Sequence, residues 1–425
     1  MSREKVLIIS DSIMGPTGFA NNGASIAWML SKEYDVHSLG LQSTSANKIK
    51  LNFHNEVREV VEHPNLPRGN DKWDFGAKSL PHILDRLKPD ILLTINDIQM
   101  VQHIPRVLYQ DKTQIPIMDP HSKTIYPEEV IKMSVDRAIQ EYKERYPLDL
   151  KWIMAAPQDG EPPMPQWKSI YESADQVVAF AKYGQDIFKK YFNMEVPYIY
   201  HAIDTDLFSP KDKPEPLKDK FVIGNLNRNQ PRKQPVRTIQ AFAKFAKDKP
   251  DVLLHMQMDW NDIFGWPIQY FGQLYGCIDK MIQPRPVGMP REQIVETYNL
   301  WDINVNSHGG EGFGISYIEG SACELPNIAT DYTTTNELII DGSPGPRGIS
   351  VPPKELYWEK MDVAAVQRSA IDVDKLSDAF NTYYYNRDLI KQHGENGRKW
   401  VEKNASCKVI QHQWVDLVKD VLKKE

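Results

Sequence analysis

Short apolar runs alternate with segments of helical period from the first residues onward. Val6–Ser10 is followed by a glycine-rich turn and the helix-like Ala24–Ser31, then by Val36–Leu39, Ile83–Leu87 leading into Ile91–Ile95, Trp152–Ala156, Gln176–Phe180 and Asn193–Tyr200. Apolar strands separated by amphipathic segments are the pattern of a doubly wound parallel sheet, so residues 1–208 are expected to form one α/β unit. Ser209-Pro210-Lys211-Asp212-Lys213-Pro214-Glu215-Pro216 breaks all periodicity with prolines and charge, and 209–220 reads as an interdomain linker about which the two halves could close. The pattern restarts with Phe221–Asn225, the helix-like Val236–Lys247, Val252–Gln257, the helix Arg291–Leu300, Ile303–Asn306, a helix after Gly314, and Asn327–Thr330. This predicts a second α/β unit with its own sheet, closed by a largely helical stretch from about Asp374 to Glu425. Two such sheets facing one another form a cleft, and ligands of doubly wound folds sit outside the carboxyl ends of the strands.

The bulk composition leaves this picture in place. Hydrophobic residues are 41% and charged ones 25% of the 425, ordinary for a folded soluble protein, and no apolar run reaches the roughly 18 residues of a membrane span. Met1-Ser2-Arg3-Glu4-Lys5 passes straight into a strand, so a secretory signal is not expected and the chain reads as cytoplasmic. Tyr126–Tyr146 is helix-like but mixed in charge, which disfavours strong membrane docking. Cys277, Cys323 and Cys407 are far apart and share no metal-ligand spacing. A net charge of −6 argues against a coat for nucleic acid, without excluding one basic groove.

The chemistry gathers where strands end. Glu311 and Glu319 stand either side of Gly312-Phe313-Gly314-Ile315-Ser316-Tyr317-Ile318, directly after Ile303–Ser307. Glycines opening a helix past a strand leave backbone N–H groups free to hold a phosphate or diphosphate. Carboxylates beside such an anion site are costly unless they accept hydrogen bonds from neutral hydroxyls, which a sugar nucleotide supplies on its ribose and its sugar. Asn227-Arg228-Asn229-Gln230-Pro231-Arg232-Lys233 follows another strand and carries three cations, Arg228, Arg232 and Lys233, fit to neutralise a diphosphate leaving group, although a solvated loop has the same look. Gly15 to Gly18, after the first strand, is too short for a dinucleotide fingerprint but sits where a loop approaches the donor or the acceptor. Asp159, a strand-end carboxylate, could bond or deprotonate an acceptor hydroxyl, or simply make an Asp-Gly turn; His201 sits at another strand end near the hinge. The triplets Asp204-Thr205-Asp206 and Asp372-Val373-Asp374 lack the neighbours of a metal-held diphosphate, the second reading as a helix cap, so no metal and no further cofactor is expected.

These motifs together resemble the retaining GT-B glycosyltransferases, the family that includes sucrose synthase and bacterial phosphatidylinositol mannosyltransferases. The likeness is carried by Gly224-Asn225-Leu226, Arg228, Arg232-Lys233, Ala241-Phe242, Glu311-Gly312-Phe313-Gly314, Glu319, Ala322-Cys323, Pro326 and Glu337 in that order, and by His201-Ala202-Ile203-Asp204-Thr205-Asp206-Leu207-Phe208 between the halves. It implies two Rossmann-like domains, the acceptor bound mainly by 1–208, the donor nucleotide by 221–395, and a final helix within 396–425 crossing back. It also implies transfer of a sugar from a nucleoside diphosphate sugar, most simply a UDP- or GDP-sugar, to an acceptor hydroxyl with retained configuration. Glu311 would then contact the donor sugar, Glu319 the ribose, Arg228, Arg232 and Lys233 the diphosphate, and the backbone at Phe313 and Gly314 the donor. Two departures stand out: Glu324 replaces the glycine that usually follows the Ala-Cys pair, and Thr333-Thr334-Thr335 replaces the glycines before Glu337. A nucleotide-sugar epimerase on the same fold and a non-catalytic sugar-nucleotide-binding protein remain alternatives, and soluble sugars, lipids, proteins and modified nucleic-acid bases remain open as acceptors.

Overall fold

The computed structural model describes residues 3–65, 75–105, 150–361 and 364–424; the helix-like Tyr126–Tyr146 lies outside them. Residues 5–179 build a seven-stranded sheet from β1 (Lys5–Ser10), β2 (Asp35–Gly40), β3 (Asn47–Phe53), β4 (Glu56–Pro64), β5 (Ile91–Ile95), β6 (Lys151–Ala156) and β7 (Gln176–Ala179), ordered β3-β4-β2-β1-β5-β6-β7. The central strands are apolar on both faces because helices cover both; all five residues of β5 are buried. The edge strand β3 alternates exposed Lys48, Lys50 and Asn52 with buried Ile49, Leu51 and Phe53 and pairs antiparallel with β4. That edge pair was not anticipated, although its two-residue alternation is the signature of a half-covered strand. The strand expected over Asn193–Tyr200 is absent: only a single bridge, Ala179 to Tyr198, forms there, with Ala179 N–H donating to the Pro197 carbonyl and Ile199 N–H to the Ala179 carbonyl, and Pro197 has no N–H with which to extend the ladder.

Residues 221–351 form a six-stranded parallel sheet from β8 (Phe221–Leu226), β9 (Val252–Gln257), β10 (Met281–Ile282), β11 (Ile303–Asn306), β12 (Asn327–Thr330) and β13 (Gly348–Val351), ordered β10-β9-β8-β11-β12-β13. A hairpin that the sequence did not disclose follows, β14 (Pro353–Met361) with β15 (Ala364–Ile371), separate from both sheets. The segment between the sheets is not loose: Lys211 N–H donates to Asn299 Oδ1 at 2.6 Å and Lys213 pairs with Asp302, so it rides with the second sheet.

Several ties join the halves. Glu337, on the second side, accepts from the backbone N–H groups of Lys182 and Tyr183 at 2.7 and 3.0 Å, capping a helix of the first domain, and from the Tyr200 hydroxyl at 2.7 Å. Arg398 of helix Arg387–Asn404 holds the carbonyls of Thr205 and Ala322, both at 2.8 Å. The chain then crosses back at Ile203–Ser406, and helix Cys407–Leu422 packs on helix Gly18–Leu30. One apolar cluster runs from Val6, Ile8 and Trp28 through Trp400 and Trp414 to Phe313 and Ile339, so the cleft has a continuous floor. Among the described residues no helix is long and apolar enough to cross a membrane.

Candidate active site

The carboxyl ends of β8 and β11 bring Lys233 and Glu311 together. The chain leaves β8, makes a tight turn over Pro231–Lys233, and enters helix Pro235–Phe245 through Gln234. The Lys233 ammonium donates to Glu311 Oε1, and Arg232 Nη1 lies 3.3 Å from the same oxygen. Arg232 Nε is also 3.8 Å from Asp159 Oδ2, so one guanidinium stands between a carboxylate of each domain. Burial works against charging Glu311, but Lys233 and Arg232 together hold it well below the usual carboxylate range. Burial pushes the Lys233 ammonium down, and Glu311 only partly restores it. For Arg232 burial is outweighed by Glu311 and Asp159, which keep the guanidinium firmly charged.

The loop carrying Glu311 has little freedom. A side-chain carbon on Gly310 would come within 2.1 Å of the Asp159 carbonyl oxygen, so only glycine lets the two domains meet there. Glu311 N–H donates to Thr333 Oγ1 at 3.0 Å and Thr334 Oγ1 donates to the Phe313 carbonyl at 2.8 Å, which gives two members of the threonine triplet a role in fixing the loop. Thr333 takes a left-handed conformation (φ 52), unusual for a β-branched residue, and Glu324 does the same (φ 59), as its place in a glycine position led one to expect. Helix Ile315–Ala322 begins at Gly314 (φ 92) with no side-chain cap, leaving its N-terminus open beside Glu311.

Glu319 lies further along that helix, buried, where it accepts from the Tyr298 hydroxyl at 2.8 Å. Burial raises its carboxyl to about 7. Arg228 stays exposed on the loop after β8 and is not drawn into the Lys233–Glu311 contact. Gly15 and Gly18 flank Thr17, which caps helix Gly18–Leu30; their loop faces the second domain, where a side-chain carbon on Gly288 would sit 4.0 Å from Pro16 Cβ. Gly312 packs on Pro157. His201 stacks on Phe313 (centroids 4.5 Å apart) and meets the edge of Phe180 at 4.4 Å; burial lowers its pKa to about 3, so it is a neutral joint behind the loop that carries Glu311. Asp204-Thr205-Asp206 gains a neighbour that sequence spacing could not show: His54 Nδ1 is 3.3 Å from Asp204 and 3.0 Å from Asp206, while Lys408 is 3.1 Å from Asp206. Asp372 caps helix Val373–Tyr385, accepting from the backbone of Asp374 and Lys375.

Two residues of the cleft were not singled out in the sequence. Arg368, on β15, is 3.0 Å from Asp159 Oδ1 and 2.8 Å from Glu359, and its side chain is 1% exposed. Asp97, just past the end of β5, lines a small open pocket with Gln158, Asp159, Trp167, Tyr171 and Val366. Burial, helped by Asp159, raises the Asp97 carboxyl to about 6. Neither residue sits in a motif; only the hairpin and the sheet order bring them to the cleft.

Residues 286–400 match the protein family described as Glycosyl transferases group 1. Among curated proteins, the chain is similar to the GDP-mannose-dependent alpha-(1-6)-phosphatidylinositol monomannoside mannosyltransferase of Mycolicibacterium smegmatis, 25% identical over 198 residues, which is 42% of this chain and 50% of that protein. The match thus spans half the length of that relative. Among solved structures, sucrose-phosphate synthase from Thermosynechococcus elongatus superposes with a TM-score of 0.69 at 15% identity, covering 99% of both chains. Anabaena Alr3699/HepE in complex with UDP and glucose superposes with a TM-score of 0.64 at 14% identity, covering 98% of this chain and 100% of that one. The fold is the two-domain GT-B arrangement of these proteins.

Proposed function

Since residues 286–400 carry a group 1 glycosyltransferase domain within a GT-B fold, we propose that this protein transfers a sugar from a nucleoside diphosphate sugar to an acceptor hydroxyl with retained anomeric configuration. The observation that carries the reading is the convergence of Lys233, Arg232 and Glu311 beside the uncapped N-terminus at Gly314. Lys233 and Arg232 both contact Glu311; an arriving diphosphate takes the two cations over and leaves Glu311 to accept from the hydroxyls of the donor sugar. Glu319 then serves the ribose, the backbone of Gly312, Phe313 and Gly314 lies along the donor, and exposed Arg228 is placed to meet the diphosphate from outside. The mannosyltransferase above is named as GDP-mannose-dependent and the Anabaena protein is solved with UDP and glucose, which supports UDP- and GDP-sugars as the donor classes.

In the transfer, the bond from the anomeric carbon to the diphosphate oxygen breaks as the bond to the acceptor oxygen forms on the same face. The acceptor's proton leaves to the departing diphosphate. Lys233 and Arg232 stabilise the charge that grows on that leaving group, a task that requires no metal in this reading, and the Gly310–Asp159 contact keeps water from the anomeric carbon. Asp159, held by two arginines, positions rather than deprotonates.

The test is a thermal-shift and donor-hydrolysis panel of UDP-, GDP-, ADP- and CMP-sugars, with and without magnesium, on the wild type, Glu311→Gln and Lys233→Ala. One nucleotide class giving slow sugar release that both substitutions abolish is the expected result. An epimerised donor as product would install the epimerase instead, binding without turnover would make the protein a non-catalytic binder, and no binding at all would remove the nucleotide-sugar reading.

A further inference from the structure

We propose, independently of the transfer reaction, that His54, Asp204 and Asp206 bind a divalent transition-metal cation, zinc in the first instance, which fastens the first domain to the stretch that joins the two. Among the described residues these are the one group of three histidine, cysteine or carboxylate side chains whose ligand atoms all lie within 4.8 Å of one another. They come from places distant in the chain. His54 and Asn55 form the two-residue turn between β3 and β4, both left-handed (φ 53 and 60), as a tight hairpin turn requires. Asp204 and Asp206 belong to the segment between the halves, and Lys408, beside Asp206, opens the helix that packs back on the first domain.

The imidazole is what points to an ion. Its side chain is 2% exposed, and Nδ1 faces both carboxylates, 3.3 Å from Asp204 Oδ1 and 3.0 Å from Asp206 Oδ2. Yet neither ring nitrogen makes an aligned hydrogen bond among the described residues, so a buried polar ring is left to be satisfied. A hydrogen bond wants the oxygen in line with the N–H, whereas the other ligands of an ion on Nδ1 stand off that axis. Two ligands that each sit about 2.1 Å from one ion are about 3.0–3.4 Å apart, and the two spacings at Nδ1 are of that kind.

Asp204 is already held in place. Oδ1 accepts from the backbone N–H groups of Asp206 and Leu207 at 3.0 and 3.1 Å, and Oδ2 from that of His54 at 2.8 Å. A carboxylate has about four acceptor sites, so one on Oδ2 remains for an ion, and the backbone donors are the outer shell that aims it. Asp206 is more open, at 42% exposure, and shares Oδ2 with the Lys408 ammonium at 3.1 Å. Lys408 is 62% exposed and can swing into water, so displacing it costs little. One imidazole nitrogen with two carboxylate oxygens is a donor set for zinc or manganese rather than for magnesium or calcium, which take oxygen. The open side at Asp206 admits water as a fourth ligand. Among the described residues none of the three pairs with Lys233, Arg232 or Glu311, so the ion ties chain segments together and takes no part at the leaving group.

The experiment is calorimetric titration of the full chain, stripped with EDTA and then freed of it, with zinc chloride and separately with manganese, magnesium and calcium chlorides, followed by thermal melts. One zinc per chain is expected, undisturbed by millimolar magnesium or calcium, with Tm about 3 °C higher at a zinc concentration a hundredfold above Kd. His54→Asn, whose side chain tolerates the left-handed turn, and Asp206→Asn should each weaken binding by at least about a hundredfold, more than loss of an outer-shell group does, and abolish the rise in Tm. Lys408→Met removes a competing charge and should tighten binding about fivefold. Asp374→Asn, in the other Asp-x-Asp triplet, should leave binding as it was. Melts in EDTA check that each variant folds. No stoichiometric zinc binding by the wild type overturns the proposal and makes the cluster an imidazolium held between two carboxylates. Binding that persists unchanged in both His54→Asn and Asp206→Asn overturns it as well, since the zinc then sits at other side chains. Neither outcome bears on the transferase reading.

Discussion

The two sides of the cleft are built on different plans. On the side of the second sheet, the charged groups come from two stretches of chain, 228–233 and 311–319, each attached to the end of its own strand; Lys233 and Arg232 balance Glu311, and Glu319 is held by the Tyr298 hydroxyl. On the other side, Asp97, Asp159, Trp167 and Arg368 arrive from the loops after β5 and β6, a helical turn and a hairpin of the other domain, and the Trp167 indole N–H has no hydrogen-bond partner among the described residues. Charges carried by short contiguous stretches can be balanced locally, whereas the second group is brought together only by the order of the sheet strands.

Removing a donor-side charge should have the largest effect. Lys233→Ala leaves Glu311 facing Arg232 alone and takes one of two buried cations from the leaving group, so kcat/KM for transfer should fall by about 10²–10³; Glu311→Gln should do the same without changing the fold. Steady-state transfer assays read both. A loss under fivefold in either would mean that the donor site is not where charge develops.

The contrast also accounts for what the sequence made legible. The meeting of Arg232 and Lys233 with Glu311 could be anticipated because strand, glycine turn and helix follow one another in the chain and place these side chains at strand ends. The two sheets were readable because strands buried on both faces are unbroken apolar runs, as in β1, β5 and β6. The hairpin was not, since β14 reads Pro-Lys-Glu-Leu-Tyr-Trp-Glu-Lys-Met, with charge at positions that a covered strand would make apolar. Arg368 looked like one arginine among many until the fold placed it on Asp159. Asp97 had no motif at all, and only the β5–β6 neighbourhood gives it meaning.

The hairpin offers the next test. Arg368→Met cuts the tie to Asp159 and Glu359. Those carboxylates are 36% and 25% exposed, so water takes over part of the lost contact. The expected cost is therefore about 1–2 kcal/mol in urea unfolding. If the proposed function holds, acceptor KM should rise by a larger factor than donor KM, because the hairpin meets the first domain at Asp159 and not at the Lys233–Glu311 contact. The opposite order would assign the hairpin to the donor.

Within the donor side, the two glutamates should respond to pH with opposite sign. Glu319 is raised by burial from 4.5 to about 7. Its contribution to stability is fully present below pH 4.5 and is lost as pH rises toward 7, because the unfolded chain ionises first. Glu311 is depressed, so its contribution is present above 4.5 and is lost as acid protonates it. Glu319→Gln should therefore flatten the fall in Tm between pH 4.5 and 7 and exceed the wild type at pH 8, while weakening donor affinity. A Tm profile parallel to the wild type would show that Glu319 is ionised in the native protein.

The smallest effect separates idle strain from strain with a task. Glu324 and Thr333 both hold left-handed backbone in places where glycine has no penalty, at a cost of about 1 kcal/mol each. Glu324 is exposed and has no part in the cleft, so Glu324→Gly should stabilise by about 0.5 kcal/mol once glycine's extra unfolded-state entropy is counted. Thr333→Gly relieves the same strain but deletes the hydroxyl that holds Glu311 N–H, a bond of about 1 kcal/mol. Its stability should stay near that of the wild type while transfer slows a few-fold, because the loop that aims Glu311 is no longer fixed. If Thr333→Gly gained as much stability as Glu324→Gly with full turnover, the threonine triplet would be ornament at the donor site, and the donor side would owe its order to the Lys233 and Arg232 contacts alone.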